Sequence, residues 1–134
     1  MRRRPHDEDH AVESIDIGAP PAKVWELLTR LEGIPVWYDG WDAVERTSTS
    51  GERLTVGLPF QLLGRRSGRR TRATCRVTEL DPLRRICWVE APDDGAPEMV
   101  RFDLLEIDVG RTRVQFTRAA VAHGVGAAIE RLPG

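Results

Sequence analysis

Two charged residues occur at positions where a strand pattern would turn them toward an apolar interior. Glu90 alternates with Trp88 on a two-residue period, and Arg118 alternates in the same way with Phe116. A buried charge is costly unless it is paired. If both faces point inward, we expect these residues to form an ion pair with each other or to contact a polar ligand. If both residues lie at strand ends, their side chains reach water and form no site.

Acid–base chemistry is the first function that these residues could perform. A carboxylate whose pKa is raised by burial can act as the general base in an enolisation, so Glu90 and Arg118 are candidate catalytic residues. His123 is a third candidate if it faces a cavity, and a surface or helix-capping role is its alternative. His6 and His10 fall in the charged N-terminal segment, so no multi-histidine metal site is expected. Nucleotide-binding and metalloprotease motifs are absent from the sequence, which predicts neither a metal nor a cofactor.

Large aromatic side chains form a second candidate set. Trp37, Tyr38 and Trp41 follow Pro35 and fall within the five positions 37–41, in a segment where a buried core seldom places three large rings. Ligand pockets are mainly apolar with a few polar groups, so such rings could line a pocket for a planar or lipidic molecule. Ordinary core packing is the alternative, especially for the two mid-strand phenylalanines. The candidate ligand-binding residues are Trp37, Tyr38, Trp41, Phe60, Trp88, Phe102 and Phe116.

An arginine-rich segment is the third candidate. It contains Arg65, Arg66, Arg69, Arg70 and Arg72, interleaved with glycine and serine. This pattern could bind phosphate groups, or it could form a flexible hairpin loop that its charge keeps in solution. No aromatic residues are interleaved and the formal net charge of the chain is −1, so nucleic acid is not an expected partner.

The elements that would position these residues are mostly strands. Val24, Leu27, Leu28 and Leu31 form an apolar stripe that predicts a helix after a first strand at Ile15–Ile17. Alternation and turn residues then predict six strands, at 41–48, 53–60, 70–80, 84–91, 99–109 and 113–122, and a final helix at 123–132. The links between these strands are short, which favours an antiparallel meander.

The opening of the chain combines a strand, a short helix, a break and an aromatic cluster, and its characteristic residues are Ile15, Ile17, Ala19, Pro20, Val24, Trp25, Leu28, Gly33, Pro35 and Trp37. With these residues the opening resembles the START-like domains of the SRPBCC superfamily, which includes polyketide cyclases, lipid-transfer proteins and the Bet v 1 allergens. The resemblance implies an α+β helix-grip fold. In that fold a curved antiparallel sheet of about seven strands, with two short helices after strand 1, encloses a ligand cavity against a C-terminal helix. Residues 11–134 would form this single domain, behind a disordered tail at 1–10.

The resemblance implies that the cavity binds a small hydrophobic or polycyclic ligand, such as a polyketide-, quinone- or lipid-like molecule. A carrier or sequestering protein is favoured over an enzyme, because no acid–base pair stands out in the sequence. A polyketide cyclase or dehydratase is the alternative. Gly124 and Gly126 weaken the final helix, so a homodimer or a partner protein that completes it is a further hypothesis.

Composition also bears on the number of domains and on the expected location of the protein in the cell. The chain has 134 residues, enough for one domain with its own core, and its two cysteines are too few for a disulfide scaffold. No apolar run approaches the roughly 20 residues of a membrane span. The N-terminus lacks the apolar stretch of a secretory signal, so we expect a cytoplasmic protein.

Overall fold

The computed structural model describes residues 10–46 and 51–121. The elements in chain order are β1 (His10–Ile17), α1 (Pro21–Leu28), a 3-10 turn (Leu31–Gly33), α2 (Ile34–Trp37), β2 (Ala43–Arg46), β3 (Pro59–Arg66), β4 (Arg69–Asp81), β5 (Arg85–Pro92), β6 (Glu98–Asp108) and β7 (Arg111–Ala120). The strands form one seven-stranded sheet in the order β1-β7-β6-β5-β4-β3-β2, and every neighbouring pair is antiparallel. This confirms the predicted antiparallel sheet with short helices after strand 1.

Several predictions concern residues outside the described ranges. They are the final helix at 123–132, His123 within it, the partner that would complete it, and most of the N-terminal tail. Within the described ranges, no helix is long and apolar enough to cross a membrane.

Two local predictions were wrong. The strand expected at 53–60 begins only at Pro59, because Gly57 has a φ of 88° that an extended strand cannot continue. The arginine-rich segment is a regular hairpin of β3 and β4 and not a loop. Ser67 and Gly68, with φ values of 53° and 77°, form its two-residue turn, and this conformation matches the twist of the flanking strands.

The core lies between one face of the sheet and the two short helices. Alternation on β5 places Ile86, Trp88 and Glu90 on one face, as their spacing predicted. The structure turns that face to the core, which the sequence had left open, and all three residues are buried. Helix α1 contributes Val24 and Leu28 to the same core. Its start is fixed to the sheet by the Thr112 hydroxyl, which donates a hydrogen bond of 2.7 Å to the Ala19 carbonyl. The helices are thereby held over β6 and β7.

Trp41 approaches the sheet closely because Gly64 on β3 has no side chain. A Cβ at position 64 would lie 2.7 Å from the Gly40 carbonyl oxygen and 3.1 Å from the Trp41 ring. Real Cβ atoms do not tolerate the shorter of these distances, so position 64 requires glycine. This contact fixes where the chain returns to the sheet after α2.

Candidate functional site

A cavity of about 570 Å³ lies between the sheet and the helices, on the side of β1 and β7. Antiparallel pairing puts Ile15 opposite Val114 and Glu13 opposite Phe116, so both strands turn the same face to the cavity. The described residues that line it are Glu13, Ser14, Ile15, Ile17, Leu27, Leu28, Trp37, Tyr38, Asp39, Phe102, Val114, Phe116 and Arg118. The walls are therefore mainly apolar, with a few ionisable groups.

Four of the seven predicted aromatic residues line this cavity and contact one another. Phe102 and Phe116 stack with their ring centroids 5.0 Å apart. The Trp37 ring meets Phe102 edge-on at 5.1 Å, and the Tyr38 ring lies 5.9 Å from Phe116. Contacts of this kind add about 0.5–1.5 kcal/mol beyond the burial of the rings. The four rings form one continuous aromatic wall.

The other three predicted aromatic residues do not line the cavity. Phe60 and Trp88 are fully buried and lie behind the aromatic wall, with their centroids 5.5 Å apart. Trp88 supports the wall from the core, since its ring is 5.1 Å from that of Phe102. Trp41 is buried against Gly64 on β3. These three rings are structural in this fold.

The indole nitrogen of Trp37 is a buried donor without an acceptor. Among the residues that the structure describes, its Nε1 atom has no hydrogen-bond partner, although Trp37 is one of the residues that line the cavity. An unpaired buried N–H costs about 1–3 kcal/mol in lost hydration. Because this atom is itself covered, the unpaired N–H is a local cost of packing the aromatic wall.

A buried polar network lies at one end of the aromatic wall, around Glu90. This carboxylate is only 2% exposed. Its Oε1 atom accepts hydrogen bonds from the Tyr38 hydroxyl at 2.9 Å and from Trp88 Nε1 at 3.1 Å. The Tyr38 oxygen in turn accepts a hydrogen bond of 2.6 Å from Arg118 Nη2. Tyr38 therefore connects the carboxylate to the guanidinium.

Arg118 balances two carboxylates at once. Its Nη1 atom lies 3.0 Å from Glu98 Oε1 and 3.8 Å from Glu90 Oε2. Burial acts to lower the pKa of Arg118, but Tyr38 and the two carboxylates together raise that pKa above its usual value. The guanidinium thus stays charged, and its charge is already compensated within the protein.

The Tyr38 phenol is held in its protonated form. Burial raises the pKa of Tyr38 far above its usual value of 10.0, and the Glu90 carboxylate raises it further, although Arg118 acts in the opposite direction. Tyr38 is consequently a hydrogen-bond donor and not a base. It also separates Glu90 from the cavity, because Tyr38 and Arg118 line the cavity whereas Glu90 does not.

The structure brings two of the three predicted catalytic residues together. Glu90 and Arg118 belong to one network even though β6 lies between their strands. His123 falls outside the described residues. Within the described residues no group of three or more metal-ligating side chains is found.

Sequence reasoning missed the aliphatic and acidic part of the wall and the linking role of Tyr38. Ile15 and Ile17 were predicted to lie on the first strand, but their contact with the cavity depends on the pairing of that strand with the last. Tyr38 was assigned to the aromatic set alone. No local signal in the sequence shows this role, because Tyr38 and Glu90 are 52 positions apart; a buried carboxylate predicts only that some donor lies beside it.

Solved structures show the same fold at low sequence identity. A START superfamily protein from Mycobacterium smegmatis matches with a TM-score of 0.69 and 13% identity, over 91% of this chain and 90% of that one. The Zhui aromatase/cyclase from Streptomyces sp. R1128 matches with a TM-score of 0.67 and 22% identity, over 87% and 72% of the two chains. DynU16, a protein of the dynemicin biosynthetic locus, matches at 0.63 and 16% identity, and this chain spans only 42% of its length.

Sequence comparison assigns the family. A search of curated protein sequences gave no significant match. The model of one family, described as polyketide cyclase / dehydrase and lipid transport, matches residues 9–132, which is nearly the whole chain. The chain therefore belongs to the polyketide cyclase / dehydrase and lipid transport family, a member of the START-like SRPBCC superfamily that its opening residues resemble.

Proposed function

We propose that this protein binds a small hydrophobic molecule with an aromatic or polycyclic body and acts as its carrier or sequestering protein. The observation that carries the proposal is the cavity of about 570 Å³ with its wall of four aromatic rings. This volume falls within the roughly 300–1,000 Å³ of typical small-molecule sites. Membership of the polyketide cyclase / dehydrase and lipid transport family supports the same ligand class.

Polar groups in the wall would orient the ligand. Arg118 and Tyr38 lie together in the wall. A planar body would stack on the rings, while a carbonyl or hydroxyl oxygen would accept a hydrogen bond from the Arg118 guanidinium. The ligand class is therefore a polycyclic or lipid-like molecule with at least one oxygen acceptor.

A carrier fits the polar network better than an enzyme does. Proton abstraction requires a base within hydrogen-bond reach of the substrate. Glu90, the predicted base, contacts Tyr38 and Trp88 and does not line the cavity. Tyr38 holds its own proton because burial raises its pKa. The described walls thus present no buried, unpaired base to a ligand.

A polyketide cyclase or dehydratase is the second candidate, and the Arg118–Tyr38 pair favours it. Arg118 Nη2 and the Tyr38 oxygen lie 2.6 Å apart at the cavity wall, where a charged donor could stabilise an enolate oxygen. Tyr38→Phe keeps the ring and removes the hydroxyl. If the protein is an enzyme that uses this pair, Tyr38→Phe lowers turnover of a poly-keto substrate by about 10²-fold or more. If the protein is a carrier, there is no turnover to lose, and the effect of the variant on function is a change in ligand affinity.

A matched pair of substitutions on β1 tests the binding proposal. Ile15 and Val12 are both exposed, at 62% and 52%, but only Ile15 lines the cavity. Ile15 pairs with Val114 of the cavity wall, whereas Val12 pairs with Thr117 on the other face of the sheet. Ile15→Trp and Val12→Trp add the same aromatic surface to the same strand, so they differ in whether that surface enters the cavity.

Isothermal titration with 2-naphthalenemethanol measures the outcome. We expect Ile15→Trp to weaken binding about tenfold, equivalent to about 1.4 kcal/mol, because the indole fills ligand space. Val12→Trp should bind as the unchanged protein does. Equal affinities for the two variants, or no binding to the unchanged protein, would contradict the proposal.

A further inference from the structure

We infer that the cavity selects aromatic ligands that are uncharged or cationic and discriminates against carboxylates. This inference rests on the proposed function and narrows its ligand class. It concerns the charge of the ligand, which the apolar walls alone do not determine. The charges around the cavity and the partners of Arg118 carry the argument.

The charges on the cavity wall are predominantly negative. Among the described residues that line it, Glu13 and Asp39 are acidic and Arg118 is the one basic residue. Glu13 lies on β1 directly opposite Phe116, so its carboxylate is on the cavity face of the sheet beside the aromatic wall. Asp39 follows Tyr38 in sequence, at the end of the same wall.

The single guanidinium is not free to hold an anionic ligand. Arg118 Nη1 donates a hydrogen bond of 3.0 Å to Glu98, and Nη2 donates one of 2.6 Å to Tyr38. The buried Glu90 carboxylate is a second counter-charge, 3.8 Å from Nη1. Two carboxylates, those of Glu98 and Glu90, therefore already lie within 3.8 Å of this guanidinium, and Glu13 and Asp39 add negative charge to the cavity wall. A carboxylate ligand would compete with Glu98 for Arg118 and would also be repelled by Glu13 and Asp39.

A cation, the guanidinium of Arg118, already lies over two rings of the aromatic wall. The guanidinium carbon of Arg118 lies 5.5 Å from the Phe116 ring centroid and 5.9 Å from that of Tyr38. The faces of aromatic rings attract cations because they carry partial negative charge. Trp37, the strongest ring of this type in the wall, has no such contact within the described residues. An ammonium group on the ligand would find both aromatic faces and carboxylates here.

Three probes that share a naphthalene body and carry a cationic, a neutral or an anionic group test the inference. They are 2-naphthylmethylamine, 2-naphthalenemethanol and 2-naphthoate, titrated calorimetrically near neutral pH at about 20 mM ionic strength, where exposed charges are little screened. We expect the ammonium and the alcohol to bind about tenfold or more tightly than the carboxylate. Salt at about 0.5 M should reduce the difference between ammonium and carboxylate and leave the alcohol unchanged.

A pair of double variants identifies the charges responsible. Glu13→Gln with Asp39→Asn should bring the ammonium and carboxylate affinities to within about threefold, because the wall loses two like charges. The control, Glu45→Gln with Asp94→Asn, changes the net charge equally but removes acids that pair with arginines of the β3–β4 hairpin. The control should keep the discrimination of the unchanged protein.

The outcomes separate the two proposals. If all three probes bind and naphthoate binds as tightly as the ammonium, the charge inference is wrong and the binding function stands. If the probes bind in the expected order of affinity and the Glu13/Asp39 double variant shows the same order, those two carboxylates do not cause the discrimination. The inference is then overturned. If none of the probes binds, the proposed function itself fails and the inference fails with it.

Discussion

Arginine occupies two opposite settings in this protein. Arg118 is partly buried in the cavity wall, with hydrogen bonds to Tyr38 and Glu98 and a second carboxylate nearby. At the β3–β4 hairpin, Arg65 stands directly opposite Arg70, and two further arginines form the next pair toward the turn. The hairpin arginines are exposed. Carboxylates and a hydroxyl group surround the charge of Arg118, whereas the hairpin places like charges opposite each other.

This difference between the two regions shows under which condition a charged residue in a sequence indicates a functional site. A charge in an apolar interior requires partners, so the residues around Arg118 are constrained as a set. Like charges opposite each other on an exposed hairpin cost only about 0.2–1 kcal/mol, and salt screens part of that. Five arginines in a short segment were conspicuous in the sequence, yet the single Arg118 forms part of the candidate site.

The largest expected effect follows from removing the buried cation. Arg118→Met leaves Glu90 buried with an uncompensated charge and should lower the free energy of unfolding by about 3–5 kcal/mol, measured by urea denaturation. Arg65→Met on the hairpin should change it by less than about 0.5 kcal/mol. The double variant Glu90→Gln/Arg118→Met should recover part of the loss, because both charges are then absent. A loss of under about 1 kcal/mol for Arg118→Met would show that the network is not effectively buried.

Removing the linking hydroxyl should have the next largest effect. Tyr38→Phe deletes one donor to Glu90 and one acceptor for Arg118 while the ring remains. We expect a loss of about 1–3 kcal/mol in the same urea experiment. Phe116→Tyr, which adds a hydroxyl elsewhere on the aromatic wall, is the control for changes in ring polarity. Unchanged stability in Tyr38→Phe would contradict the network as described.

Alkaline pH should destabilise the fold through the same residue. The unfolded chain releases the Tyr38 proton near pH 10, the usual value, whereas the folded chain retains it because burial and Glu90 raise the pKa. The folded state then binds more protons, so stability is fully present below pH 10 and falls as the pH rises above it, by at most about 1.4 kcal/mol per pH unit.

Tyrosinate absorbance gives a direct measurement of this titration. Tyr38 is the only tyrosine in the chain, so the signal reports one residue. We expect the phenol of the folded protein to remain protonated near pH 10 and to ionise only as the protein unfolds. Reversible ionisation near pH 10 without unfolding would show that Tyr38 is not held by burial and Glu90.

The smallest effect should come from the hairpin. Arg65→Glu replaces a like-charge pair with an opposite-charge pair across β3 and β4, and should raise the free energy of unfolding by about 0.2–1 kcal/mol. Arg72→Glu is the contrasting variant, because Arg72 already contacts Glu45 and Gln61. Reversing the charge at position 72 should therefore lower the free energy of unfolding. Salt at about 1 M should suppress the gain at position 65. A gain that survives high salt would have a cause other than charge.

Sequence patterns predicted the fold better than the site. Alternation along β5 placed Glu90 and Trp88 on one face, but it left open whether Glu90 is buried or reaches water at a strand end; the structure shows Glu90 buried. The error at 53–60 arose because Gly57 adopts a positive φ that alternation does not reveal. The contacts among Tyr38, Glu90 and Arg118 join residues 52 and 80 positions apart in the chain. They depend on strand order and on where α2 docks, which no local pattern specifies.

Native mass spectrometry of the protein purified from its own host tests the central claim most directly. We expect a bound small molecule that leaves on denaturation, has an aromatic or polycyclic body and carries no carboxylate. The Ile15→Trp variant from the same host should retain less of it, and Val12→Trp should retain as much as the unchanged protein. A protein that carries no molecule and also fails to bind 2-naphthalenemethanol would contradict the assignment of this cavity as a ligand site.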